Sequence, residues 1–266
     1  MSEFVVLASG LAFPEGPTVA ADGAIWCSEL GGGRIARIDS DATLARYDVG
    51  GAPNGLAIAP DGSIWFCDAG RNLVRRLDPS DGATETMIES IHGEALAAPN
   101  DLAFHADGTL VFTCPGESRR DPTGYVCRRS VDGVVDRIAG GLLFPNGICF
   151  SADGERVFVA ETYAYRVVAG RWDDTAPIGL SPIFDTPGPI GADGVAVDAE
   201  GHISTCVYGA GLVRVADSVG RILRDIPIPD PHPAGCSIDP LGRWSLIVTG
   251  SSEGIVLGLP VGETSP

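Results

Sequence analysis

The chain has no stretch approaching the roughly 18 consecutive apolar residues that a membrane-spanning helix needs. It also has no helix-length amphipathic pattern, which argues against a repeat of alternating strands and helices. Positive charge is scarce: 18 Lys and Arg stand against 35 Asp and Glu, for a net charge of −17. Like charge repels a phosphate backbone or an anionic bilayer along the whole approach, so neither nucleic acid nor membrane is expected as a partner. No basic stretch precedes the apolar residues of positions 1–7, so no secretory signal is read there. The 7 cysteines are an odd number, which fits reduced thiols and a cytoplasmic setting better than a disulfide framework.

Punctuation, by contrast, is plentiful. The 36 Gly and 20 Pro suit many short strands joined by tight turns. A repeat organises them: a tight turn, a short apolar strand, an Asp-Gly-type turn, then a second apolar strand. The clearest copies read Pro53-Asn54-Gly55-Leu56, Pro99-Asn100-Asp101-Leu102 and Pro145-Asn146-Gly147-Ile148, followed by Asp61-Gly62, Asp107-Gly108 and Asp153-Gly154. Pro14-Glu15-Gly16-Pro17, Ala192-Asp193-Gly194-Val195 and Ala234-Gly235-Cys236 hold the same phase with weaker spelling. The residues opening each copy are Glu15, Asn54, Asn100, Asn146, Asp193 and Ala234, spaced 39 to 47 residues apart. A unit of that length with four strand-sized segments is a propeller blade. The fold expected is an all-β, six-bladed β-propeller occupying residues 1–266 as one domain. The strand near residues 4–7 lacks a hairpin partner and the sixth copy lacks a fourth strand. Pairing the two would close the ring and remove two exposed edges.

In such a ring the six openers point at one axis. Five carry side-chain oxygens and two are carboxylates, a set that repels itself in a narrow channel unless something compensates it. A hard divalent cation held by carboxylate and carboxamide oxygens would do so, with Ca²⁺ foremost and Mg²⁺, Mn²⁺ or Zn²⁺ as alternatives. The plainer reading is a turn: Asn before Gly is common there, and Asn54 shares the letters of Asn146. Glu15 fits the turn reading worst.

The same residues carry a resemblance. Pro14-Glu15-Gly16-Pro17, Pro99-Asn100-Asp101, Pro145-Asn146-Gly147-Ile148 and Ala192-Asp193-Gly194 resemble the SMP-30/gluconolactonase family of calcium-dependent lactonases. Val111-Phe112-Thr113-Cys114-Pro115 and Leu246-Ile247-Val248-Thr249 fit it too. The resemblance spans all six blades. It implies that Glu15, Asn146 and Asp193 bind one metal ion, with Asn100 binding it or touching substrate. It implies a small lactone or ester as substrate, hydrolysed by water with Asp193 as general base. Family members often carry Arg two residues before the Asn of the third motif, where this chain has Ala98; that departure points away from a heavily hydroxylated sugar lactone. On family geometry the loop of residues 115–122 folds over the channel mouth, with Glu117 and Arg119 near substrate; the plainer reading is a solvated charged loop. His232, just before the sixth motif, is placed at the same rim, whereas His105 and His202 are expected to be solvated beside hairpin turns.

Cys27, Cys67, Cys114 and Cys206 recur 12 to 14 residues after their openers. That regularity makes them packing residues of the second strands rather than nucleophiles. Two rival functions keep the same fold. One is a phosphotriesterase using the same ligands; the other is a non-catalytic propeller that offers its rim to a partner.

Overall fold

The computed structural model describes residues 4–262. Six four-stranded antiparallel sheets follow one another along the chain. Blade one is Pro14–Val19, Ile25–Glu29, Arg34–Ile38 and Leu44–Asp48. Blade two is Pro53–Ile58, Ile64–Asp68, Leu73–Leu77 and Thr84–Ile88, and a small hairpin of Ser90–Ile91 with Glu94–Ala95 follows it. Blade three is Leu102–Phe104, Leu110–Cys114, Gly124–Arg129 and Val135–Leu142. Blade four is Pro145–Phe150, Arg156–Glu161, Arg166–Arg171 and Ser181–Asp185. Blade five is Gly191–Val197, Ile203–Tyr208, Leu212–Ala216 and Ile222–Pro227. Blade six is Pro233–Ser237, Trp244–Gly250 and Ile255–Pro260, and its fourth strand is Val5–Ala8 from the start of the chain. That strand pairs antiparallel, Val6 opposite Leu257, so the ring closes as the unpaired first segment predicted.

Six apolar clusters hold the blades together, one at each interface between neighbours. Trp26 and Ile35 of blade one meet Leu56 and Phe66 of blade two, and Ile25 and Cys27 of blade one meet Ile247 and Val256 of blade six. The second strands of blades one to three are buried along their whole length because a neighbour covers each face. That is why they read as continuous apolar runs instead of alternating ones. Cys27, Cys67, Cys114 and Cys206 sit in second strands, fully buried. Burial pushes the Cys27 thiol up to about 12, which suits packing and not nucleophilic chemistry. Each fully buried side chain of Leu or Phe size contributes about 1.5–3 kcal/mol.

His105 departs from the solvated position expected for it. Its ring packs against Phe150 at 5.0 Å and Trp172 at 5.6 Å, while its Nδ1 pairs with Asp107 at 2.9 Å. Two aromatic neighbours from blade four cover a turn that its sequence marked as exposed. Among the described residues no helix is long and apolar enough to cross a membrane.

Candidate active site

The inner strands contact one another in a closed ring around the axis. In five blades their pairing with the second strand slips at the opening position, between Glu15 and Thr18, Pro53 and Leu56, Pro145 and Ile148, Ala192 and Val195, and Pro233 and Cys236. These bulges release the residue after the opener from the ladder, and in every one but blade one the opener too, Glu15 staying paired with Ser28. The residue after the opener is glycine in all five, and neighbouring strands require that. A Cβ on Gly147 would lie 2.5 Å from the Asp193 carbonyl oxygen, and one on Gly194 2.7 Å from that of Ala234.

Blade three breaks the pattern with Asp101. Its Oδ2 accepts the Ile148 backbone N–H of blade four at 3.0 Å. The side chain borders an axial cavity of about 90 Å³ lined also by Leu56, Ile148 and Val195. In the sequence, Pro99-Asn100-Asp101 reads as one more copy of Pro-Asn-Gly. The column after the openers, five glycines and one Asp, is the signal that would have singled Asp101 out.

Backbone geometry separates the four proposed ligand positions from the other two openers. The residue two before Glu15, Asn100 and Asn146 has left-handed φ: Phe13 at 58°, Ala98 at 47° and Phe144 at 60°. Two before Asp193 stands Gly191, at 118°. Ala52 and His232, the corresponding residues before Asn54 and Ala234, are not left-handed. Left-handed Phe and Ala are strained, and such strain concentrates where a site needs a particular presentation. Buried carboxylates of the second strands hold two of these segments. Glu29 accepts the Ala12 N–H at 2.9 Å, and Glu161 accepts that of Leu143 at 2.7 Å.

Electrostatically the axis is overloaded with negative charge. Burial pushes the Glu15 carboxyl well above its usual range, and the charges of Asp193 and Asp101 add to the rise. Asp193 is raised in the same way, by burial first and then by Asp101, with the Asn146 amide opposing as a hydrogen-bond donor. Asp101 is raised to about 6 by burial, against the N–H groups of Ile148 and Leu102. Glu15 and Asp193, both under the charge of Asp101 and with no basic side chain among the groups acting on them, offer carboxylate oxygens of the kind a divalent cation takes. Glu15, Asn146 and Asp193 are all buried. Asn100 is half-buried, with its backbone N–H on the Thr113 carbonyl, so it lies in the same layer without a side-chain link to the other three.

The remaining expected residues lie at the end of the ring where the openers lie. Arg119 stacks on Phe144 and Tyr163, at 5.5 and 5.8 Å from their ring centres. Its loop is anchored by the buried Ser118, whose hydroxyl oxygen accepts the Phe144 N–H at 2.9 Å. Glu117 is exposed on that loop. His232 lies against the Tyr208 ring at 4.7 Å and bonds Ser252 at 2.6 Å. Tyr208, which sequence reasoning missed, is near enough to feel the charges of both Asp193 and Glu15. No repeat signal marked it.

A second group of oxygen and nitrogen ligands, Asp198, Glu200 and His202, has atoms within 4.8 Å of one another. It belongs to the blade-five hairpin turn at the opposite end of the ring. There Asp198 accepts the His202 N–H at 2.8 Å and closes the turn. It is separate from the site around Asp193.

Residues 13–251 match the family model described as SMP-30/Gluconolactonase/LRE-like region. The chain belongs to this family. Among solved structures, a gluconolactonase from Xanthomonas campestris is 28% identical, with a TM-score of 0.87 over 97% of this chain and 90% of that one. A calcium-binding regucalcin from Agrobacterium tumefaciens superposes with a TM-score of 0.83 at 21% identity over 97% and 93%, a likeness of fold. Among curated family relatives, a putative sugar lactone lactonase from Rhizobium meliloti is 26% identical over 162 residues, 59% of this chain. The pentonolactonase XacC from Haloferax volcanii is 32% identical over 111 residues, 40% of this chain. The matched stretches span 54% and 38% of those two relatives' lengths.

Proposed function

We propose that the protein is a divalent-metal-dependent lactonase whose site is the axial end of the channel around Asp193. The observation that carries the reading is the pair of buried carboxylates, Glu15 and Asp193, both raised by burial and by the charge of Asp101, beside the Asn146 amide. The family relationship and the gluconolactonase and lactonase relatives support it.

Glu15, Asn146 and Asp193 would hold the ion, with Asn100 completing the shell or meeting the substrate. When bound, a cation such as Ca²⁺ supplies Lewis acidity toward the lactone carbonyl and compensates the two carboxylates. The chain's own residues do the rest. Asp193, beside the Asn146 amide, would hold the ion through one oxygen and take a proton from an attacking water with the other. The water oxygen bonds the acyl carbon, the ring C–O bond breaks, and the departing ring oxygen takes up the proton to give a hydroxy acid. Tyr208 and His232 on one side of the mouth, with Arg119, Phe144 and Tyr163 on another, would position the ring. Aromatic faces there, together with Ala98, suit a sparsely hydroxylated lactone better than a sugar lactone.

The test is hydrolysis of a panel of lactones and aryl phosphotriesters by protein stripped with chelator and then resupplied with Ca²⁺, Mn²⁺ or Zn²⁺. The reading expects lactone turnover that chelation abolishes and a metal restores. Chelator-resistant lactone turnover, or turnover confined to the phosphotriesters, would contradict it.

A further inference from the structure

An asparagine can turn either its oxygen or its nitrogen toward a cation, and only the oxygen binds one. Something beside Asn146 must decide between them. Thr162 opens the short 3₁₀ turn of Thr162–Ala164 that follows the second strand of blade four, and it is 3% exposed. Its Oγ1 lies 2.6 Å from the Ala192 carbonyl oxygen and 3.3 Å from Asn146 Nδ2.

The proton count leaves one arrangement. A carbonyl oxygen only accepts, so the single hydroxyl proton of Thr162 goes to Ala192. Toward Asn146 the hydroxyl is then an acceptor, and of the two ends of the amide only the NH₂ can meet it. The Asn146 amide is also near enough to Asp193 to lower its carboxyl. The NH₂ end is thereby turned toward Thr162, and Oδ1 is left for the axis.

We propose that Thr162 is a positioning residue of the metal site: it sets which way round the Asn146 amide stands and ties that amide to the backbone of Ala192, next to Asp193. The proposal rests on the metal-binding reading above. Two comparisons within the chain separate it from ordinary blade packing. The buried hydroxyls Ser28, Thr113, Thr205 and Thr249 bond backbone atoms of the inner strands, whereas Thr162 also bonds a side chain of the site. Pro145 pairs with Glu161, Pro53 with Asp68 and Pro14 with Glu29, so Thr162 corresponds to Ala69 in blade two and Leu30 in blade one. Neither has a hydroxyl; Tyr208 and Ser251, which stand there in blades five and six, do, but that of Ser251 bonds the His232 carbonyl and not a side chain of the site.

The experiment is calorimetric titration with Ca²⁺ alone of the full chain, its Thr162→Val and Thr162→Ser variants, and the same Val change in an Asn146→Asp background. Second-layer partners of metal ligands typically contribute 10–100-fold in affinity, so Thr162→Val should weaken Ca²⁺ binding by about that factor. Thr162→Ser keeps the hydroxyl and should stay within about threefold of the parent. A carboxylate at position 146 presents oxygen whichever way it turns, so there the Val change should cost less than about threefold. Thr162→Val binding as tightly as the parent, or losing as much in the Asn146→Asp background, would overturn the assignment while leaving the metal site intact. A parent chain that binds no Ca²⁺, Mn²⁺ or Zn²⁺ would instead remove the metal reading itself, and the Thr162 role with it.

Discussion

Blades two and four spell their inner strands alike, Pro53-Asn54-Gly55 and Pro145-Asn146-Gly147, and both asparagines are buried within a bulge. Their surroundings differ. Phe144 enters blade four left-handed, while Ala52 enters blade two without that strain, its N–H held by Asp68 at 3.0 Å. Asn146 has the Thr162 hydroxyl within hydrogen-bond reach and the Asp193 carboxylate nearby. Asn54 has Ala69 at the position of Thr162. The comparison teaches that the motif supplies a bulge and a carboxamide at the axis, and that neighbouring blades decide whether the carboxamide is aimed.

The comparison can be broken at several points. The largest effect is expected at the carboxylate that Asn146 faces. Asp193→Ala should cut metal-dependent lactone turnover about 10³-fold or more, since both a ligand and the general base are lost. Steady-state rates at saturating Ca²⁺ would show it, and a variant that keeps a tenth of its activity would remove Asp193 from the mechanism.

A second prediction concerns pH. Glu15, Asp101 and Asp193 all have carboxyl groups raised by burial in the folded protein, Asp101 to about 6. The folded state therefore holds more protons than the unfolded one above the ordinary carboxylate range. Ion-free protein should gain stability as pH falls from 7 through 6 toward 5. Ca²⁺ should stabilise at pH 7, and that gain should fade over the same fall as protons compete for the ligands. Thermal melts with and without the ion would measure both. An ion-free protein that loses stability across this interval would contradict the buried-charge account.

The smallest effect concerns the backbone. Ala98→Gly relieves a left-handed φ of 47° and should raise stability by about 0.5–1 kcal/mol. Ala52→Gly has no such strain to relieve and should lower it by a similar amount. Urea unfolding of the pair would test whether left-handed entry marks the ligand-bearing blades alone.

The fold was legible because six copies kept one phase, and because turn residues and apolar runs are local signals that packing then amplified. The closing strand was legible by elimination, as one segment without a partner and one blade without a fourth strand. The axial set was legible only as a column of openers. Letters alone could not tell Asn54 from Asn146, since what separates them is a φ angle and a threonine 16 residues on. Asp101 hid in a motif position where glycine is the rule, and Tyr208 stands at the repeat position of Thr162, where each blade carries a different residue type. Those properties arise between blades, where no local pattern reaches.

The measurement closest to the central claim is a Ca²⁺ binding isotherm of the intact chain beside its Asn146→Ala and Asn54→Ala variants. The account predicts one bound ion per chain, its affinity lowered at least about 100-fold by Asn146→Ala and changed less than about threefold by Asn54→Ala. Equal losses from the two substitutions, or none from either, would mean that the carboxamides of these blades are turn residues and that the axis is not built to hold a metal.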